Sequence, residues 1–260
     1  MKYNYRRYIG ISIKHVLVVL FSLVLSVMWV SSIMAQSPSV TQDSESTINL
    51  DSTKQVIRGF GAANIVNWRP DMSPAEIEKA FGTGEGQLGF SILRLRIPPQ
   101  QNQWDINLPS AKAAHSLGVK VFASPWSPPA NMKTNNSTVG GRLKDDSYAD
   151  FAQYLNDFSE YMADNGAPLY AVSVQNEPDI EVGYESCDYT PDQMLRFVRD
   201  YTDSIDTRLI APESYQFRRV MSDPLLNDSV AASNFDIVGA HIYGGGLSPY
   251  PLAEEKGKEV

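Results

Sequence analysis

The chain of 260 residues has one cysteine and three histidines. A single thiol, Cys187, excludes an internal disulfide. With His15, His115 and His241 far apart, it also leaves no cluster of metal ligands, so the sequence predicts neither metal nor cofactor. Positive charge is short as well: 22 Lys and Arg stand against 30 Asp and Glu, a formal net charge of −8. Such a chain is a poor nucleic-acid ligand, because it has too few cations to replace the counterions of the phosphates. Acid is missing from the beginning, where the first acidic residue is Asp43. There Lys2, Arg6, Arg7 and Lys14 precede the apolar run Val16–Val30 and a Ser31-Ser-Ile-Met-Ala35 cleavage region, the layout of a secretory signal peptide over residues 1–35. Ile33, three residues before the cut, is bulkier than usual there and keeps an uncleaved membrane anchor open as the alternative. The expectation is an exported protein, secreted or periplasmic, with no membrane contact once the leader is cut. Removing the leader takes away four cations and moves the formal charge from −8 to −12. The absence of a Gly-x-Ser-x-Gly elbow argues against a serine hydrolase. Stability must come from the core, for which 43% hydrophobic and 10% aromatic residues suffice.

Residues 36–46 are a polar Ser/Thr/Gln stretch that reads as a linker, and Thr47–Asp51 alternates like an exposed strand. Beyond them strands are predicted at Val56–Gly61, Ser91–Ile97, Val119–Ser124, Leu169–Val174, Arg208–Ala211 and Phe235–His241. Helical patterns separate them at Pro74–Phe81, Ser110–Leu117, Tyr148–Asp164, Pro191–Ser204 and Val220–Leu226. In the third of these, Tyr148, Phe151, Leu155, Phe158 and Met162 form one apolar stripe, with Ser147 as N-cap and Gly166 as stop. Alternating strands and helices imply a parallel sheet, and polar and aromatic residues after nearly every strand favour a barrel over a doubly wound sheet. Gly82–Gly89 is glycine-rich but runs from helix to strand, opposite to a phosphate cradle, so it reads as a helix stop and turn.

The run Leu169–Val174 suits a strand buried on both faces, and it breaks into Gln175-Asn-Glu-Pro-Asp179. A carboxylate, Glu177, thus stands at the C-terminal end of a barrel strand, where burial is expected to raise its pKa and suit it to general acid work. Arg94 and Arg96 alternate with Leu95 and need carboxylate partners; a structural ion pair low in the barrel suits Arg96 better than Arg94. Trp126, held among three prolines, is expected to be a rigid platform for a sugar ring, with simple packing as the alternative. His241 and Tyr243 follow the sixth strand, where a lone His is more often a satisfied core residue than a catalyst. Glu213, in Ala-Pro-Glu-Ser, is the other carboxylate of the pattern.

The Asn176-Glu177-Pro178 strand end, Gly59-Phe-Gly61, Ser91-Ile-Leu-Arg-Leu-Arg96, Ala123-Ser-Pro-Trp-Ser-Pro-Pro129 and His241-Ile-Tyr-Gly244 together resemble glycoside hydrolase family 30, most of all its glucuronoxylanase branch. The likeness runs from about Thr47 to Val260. It implies a (β/α)8 TIM barrel beside a β-sandwich side domain, with residues 47–58 as strands of the side domain and 59–260 as barrel. It also implies retaining hydrolysis of a β-linked plant-type polysaccharide, xylan or glucuronoxylan, with that polysaccharide or its oligosaccharides as the partner, and a monomer when complete. Glucosylceramidase-like and β-1,6-glucanase activities of the same family, and a non-catalytic sugar-binding module, are the alternatives. The resemblance makes Glu177 the acid/base, gives Asn176 a sugar hydroxyl, sets Arg94 to hold the nucleophile, and lines the site with the His241-x-Tyr243 stretch, His241 as orienting and Tyr243 as a substrate contact. The family's nucleophile ends the seventh strand, whereas the sequence reaches Gly257-Lys-Glu-Val260 where that strand begins and Glu259 falls too early in it. The expectation is an N-terminal part of a longer enzyme, with about six strands of eight, inactive by itself and lacking the nucleophile; Glu213 is the fallback.

Overall fold

The computed structural model describes residues 47, 49–52, 56–246 and 248–260. The readings of a leader at 1–35 and a linker at 36–46 lie outside the described residues. The chain divides into Met1–Val56 and Ile57–Val260. Within the first unit, Leu50 and Asp51 occupy a turn closed by the Ser52 N–H donating to Asn49 O at 3.3 Å, so the strand expected at Thr47–Asp51 is not formed among its described residues.

The second unit is an arc of six parallel strands, ordered as they occur in sequence: β1 Gly61–Asn64, β2 Ile92–Ile97, β3 Lys120–Pro125, β4 Ala171–Ser173, β5 Leu209–Ser214 and β6 Ile237–Ala240. It is an incomplete (β/α)8 barrel. Helices return the chain between strands: α1 Pro74–Phe81, α2 Leu108–Ser116, α3 Tyr148–Asp164, α4 Pro191–Asp200, and the pair α5 Arg219–Asn227 and α6 Ser229–Ser233. A short α7, Pro251–Glu255, follows β6. After it Glu259 pairs in parallel with Ile237, the start of a seventh strand.

Local chemistry explains the boundaries. Ser73 and Glu76 close a capping box on α1 and Thr190 and Gln193 another on α4, each followed by proline at the first helical position. The stripe of α3 is buried as predicted, and Gly166, at φ 79°, ends it. Ser147 stands at the start of α3 but its side chain caps nothing; it bonds Asp146 instead. In β2, Leu93, Leu95 and Ile97 face the helices in one apolar core with Val121, Phe151, Leu155 and Phe158, leaving Arg94 and Arg96 on the barrel side.

The first strand differs most from expectation: it begins at Gly61 rather than Val56. Gly61 approaches β2 so closely that a Cβ there would lie 1.9 Å from Ile92 O. β4 is shorter than Leu169–Val174, and β5 runs three residues further than Arg208–Ala211 because a bulge between Pro212 and Ser214 extends it.

Candidate active site

β4 and β5 deliver two carboxylates side by side at the upper rim. Glu177 follows β4 and Glu213 sits in the bulge of β5; both are buried. Each has left-handed backbone, φ 47° and φ 60°, which costs a non-glycine residue roughly 1–3 kcal/mol and persists only where neighbours impose it. The Glu177 N–H donates to Glu213 O at 3.1 Å, so each turn holds the other. Asp179 completes the clamp, accepting from Ser214 Oγ at 2.7 Å and from the Tyr215 N–H at 2.9 Å.

The side chains form a chain of charge. Arg94 donates to Glu213 Oε1 and, at 2.6 Å, to Asn176 Oδ1. His241 lies between the carboxylates, with Nδ1 2.7 Å from Glu177 Oε1 and Nε2 3.1 Å from Glu213 Oε1. Burial lowers the pKa of His241, but the bonds to Glu177 and Glu213 and the charge of Glu213 outweigh it and hold the imidazole at about 9. Burial acts on Glu213 in the raising direction and is overcome by the Arg94 charge and by His241, which leave that carboxyl below its ordinary value. Glu213 Oε2 is buried and has no partner among the described residues.

The structure brings Arg94, Asn176, Glu177, Glu213 and His241 together. It removes Trp126 from the role of an open platform. That ring is 3% exposed, because the Arg94 guanidinium covers it 4.5 Å from the centroid and its backbone oxygen accepts from Gln175 Nε2. The exposed aromatics at the mouth are Tyr243, 58% exposed and packed on Tyr215, and Trp68, 60% exposed with its ring edge-on to Trp126 and Tyr184. Trp68 escaped the sequence reading because β1 was placed too early, although a Trp four residues beyond a strand end is a signal.

The sequence matches the model of the glycosyl hydrolase family 30 TIM-barrel domain over residues 79–215. The chain belongs to glycoside hydrolase family 30. It is similar to the glucuronoxylanase XynC of Bacillus subtilis (strain 168), 48% identical over 220 residues, covering 82% of this chain and 52% of that one. Among solved structures it is similar to the family 30 subfamily 8 xylanase Xyn30A of Clostridium acetobutylicum, with 43% identity, a TM-score of 0.74, and 81% of this chain against 56% of that one. A family 30 endoxylanase of Clostridium papyrosolvens C71 gives 44% identity and a TM-score of 0.72, covering 81% and 57%. The chain thus spans about half the length of these relatives.

In this family 30 chain, the Tyr184–Tyr189 loop, opaque in the sequence, fastens to the rim residue by residue. The Tyr184 hydroxyl reaches Glu177 Oε2 at 3.4 Å. Glu185 takes a two-pronged ion pair from Arg96, which therefore serves the upper rim rather than the barrel floor. Ser186 O accepts from Lys133, a wholly buried amine whose pKa burial pushes down. Glu259 lies at the other end of the sheet, paired with Arg58 at 2.7 Å and Arg208 at 3.1 Å.

Proposed function

We propose that this chain is the acid/base half of a retaining hydrolase that cleaves β-glycosidic bonds of xylan, glucuronoxylan above all. The observation that carries the reading is the Asn176-Glu177 strand end, with Asn176 fixed by Arg94 and Glu177 at a rim edged by Trp68, Tyr184 and Tyr243. The similarity to glucuronoxylanases supports the substrate class. In the first half of the reaction Glu177 gives its proton to the leaving glycosidic oxygen; in the second it takes one from the water that frees the sugar. Asn176 and Tyr243 contact sugar hydroxyls and ring.

The attacking carboxylate belongs to neither of the remaining candidates. Glu213 Oε1 is engaged by Arg94 and His241 and its Oε2, though unpartnered among the described residues, is enclosed, which argues against its attack on an anomeric carbon. Glu259 is tied to two arginines at the far end of the sheet. We assign that role to the portion of the relatives that this chain does not span. Export is part of the same proposal, supported by the leader-like first 35 residues.

The test is to assay the chain on glucuronoxylan, plain xylan and a β-1,6-glucan, alone and joined to the second half of the B. subtilis relative. The joined protein should cleave glucuronoxylan with retained anomeric configuration, and Glu177→Gln should cost about 10²–10⁴-fold in kcat. Turnover by the chain alone at the joined rate would return Glu213 to the nucleophile's role, and an undiminished Glu177→Gln variant would end the reading.

A further inference from the structure

The two ring nitrogens of His241 each face a carboxyl oxygen, and while both carboxyls are ionised a neutral imidazole cannot satisfy the pair. With one proton, the ring leaves a nitrogen lone pair pointing at an oxygen lone pair; only the imidazolium donates to both. Glu213 is built to keep that charge. Its carboxylate is enclosed, ion-paired to Arg94, and set by the β5 bulge so that Oε1 meets Nε2.

We propose that Glu213 is a positioning residue for Glu177, acting through His241: by accepting the Nε2 hydrogen it turns the Nδ1 hydrogen onto Glu177 Oε1 and leaves Oε2 as the atom that exchanges the proton with the sugar. This deepens the acid/base reading of Glu177 and rests on it. The groups around the ring are Glu177 at the end of β4, Glu213 on β5, Arg94 behind Glu213 on β2 and the edge of Tyr243 beyond β6. The Tyr184 hydroxyl, from the loop after β4, donates to Glu177 Oε2 at a long 3.4 Å, so the oxygen assigned to proton exchange is the more loosely held of the two. The raised pKa of the imidazole agrees with the double contact.

Only three histidines occur, so their rings can be followed separately by ¹⁵N NMR titration of the full chain, with His241→Asn giving the assignment. One imidazole should hold both hydrogens at neutral pH and titrate near 9. Glu213→Gln should lower that midpoint by about one to two pH units, and Glu213→Asp should restore most of it, with circular dichroism reporting that each variant is folded. The ¹³C resonance of the Glu177 carboxyl should show a step at the imidazole's midpoint, and that step should move with it in Glu213→Gln. A ring titrating near 6.5 in the parent chain, an unchanged midpoint in Glu213→Gln, or a Glu177 resonance blind to the imidazole step would overturn the proposal. None of these readouts needs turnover. An active Glu177→Gln enzyme would therefore remove the acid/base reading of Glu177 while leaving the titration as a separate result.

Discussion

The two ends of the sheet hold the same three ingredients. At the upper rim Arg94 lies 4.5 Å from the Trp126 ring centroid and pairs with Glu213. At the lower end Arg208 lies 4.6 Å from the Tyr170 centroid and pairs with Glu259, which also accepts from the Tyr170 hydroxyl at 3.2 Å. What differs is water and backbone. The Glu213 side chain is 4% exposed and that of Glu259 25%. Glu213 sits in a left-handed bulge with the imidazole of His241 between it and a second carboxylate, whereas Glu259 is in parallel pairing with Ile237 and among the described residues its side chain meets two arginines and a phenol. An arginine, an aromatic ring and a glutamate therefore make a staple where solvent reaches them and an enclosed, hydrogen-bonded network where it does not.

That contrast can be broken most forcefully at Arg94. Arg94→Met strands a buried carboxylate and should cost about 3–5 kcal/mol in chemical denaturation. Glu185→Gln, which strands Arg96 at the same rim, should cost somewhat less, about 3 kcal/mol, because the amide oxygen still accepts one bond. The third effect is a pH dependence that belongs to the upper rim alone. The folded imidazole of His241 is raised to about 9 from 6.5, so its contribution is full below about pH 6.5 and is lost as pH rises through 9. The difference in stability between the parent and His241→Asn should shrink across that window. Glu213 and Glu259, both held below the ordinary carboxylate value, act in the opposite sense, losing their contributions only as the solution becomes acidic. The smallest effect is expected at the lower end, where Arg208→Met should cost no more than about 1 kcal/mol, since Arg58 still serves Glu259 in water. A loss equal to that of Arg94→Met would erase the distinction between the two ends.

Much of this was legible before any coordinates. The helical pattern Pro74–Phe81 matches α1 to the residue, and the structure gives the reason: Ser73 and Glu76 close a capping box at its start. Likewise the abrupt end of an apolar run announced Glu177. Charge on β2 announced partners for Arg94 and Arg96, and both have them, although in the opposite vertical sense for Arg96. What the sequence hid depends on contacts between distant segments. Nothing local shows that Arg94, rather than a sugar, would lie on Trp126, for the two residues are brought together only by the β2–β3 pairing. The bulge at Glu213 is equally silent, as it is defined by register against β6. The Tyr184–Tyr189 loop has no periodicity to read; its order comes from Arg96, Lys133 and Glu177 on other elements.

The strand order adds one consequence. Because each strand lies beside the one before it in sequence, every helix-strand unit needs only its predecessor as a template. A nascent polypeptide could lay this wall down course by course as it emerges, with Glu213 and His241 meeting only when the fifth and sixth courses are in place. Within the described sheet, Glu177 at the end of β4 meets its imidazole partner only once β5 and β6 have been laid beside it.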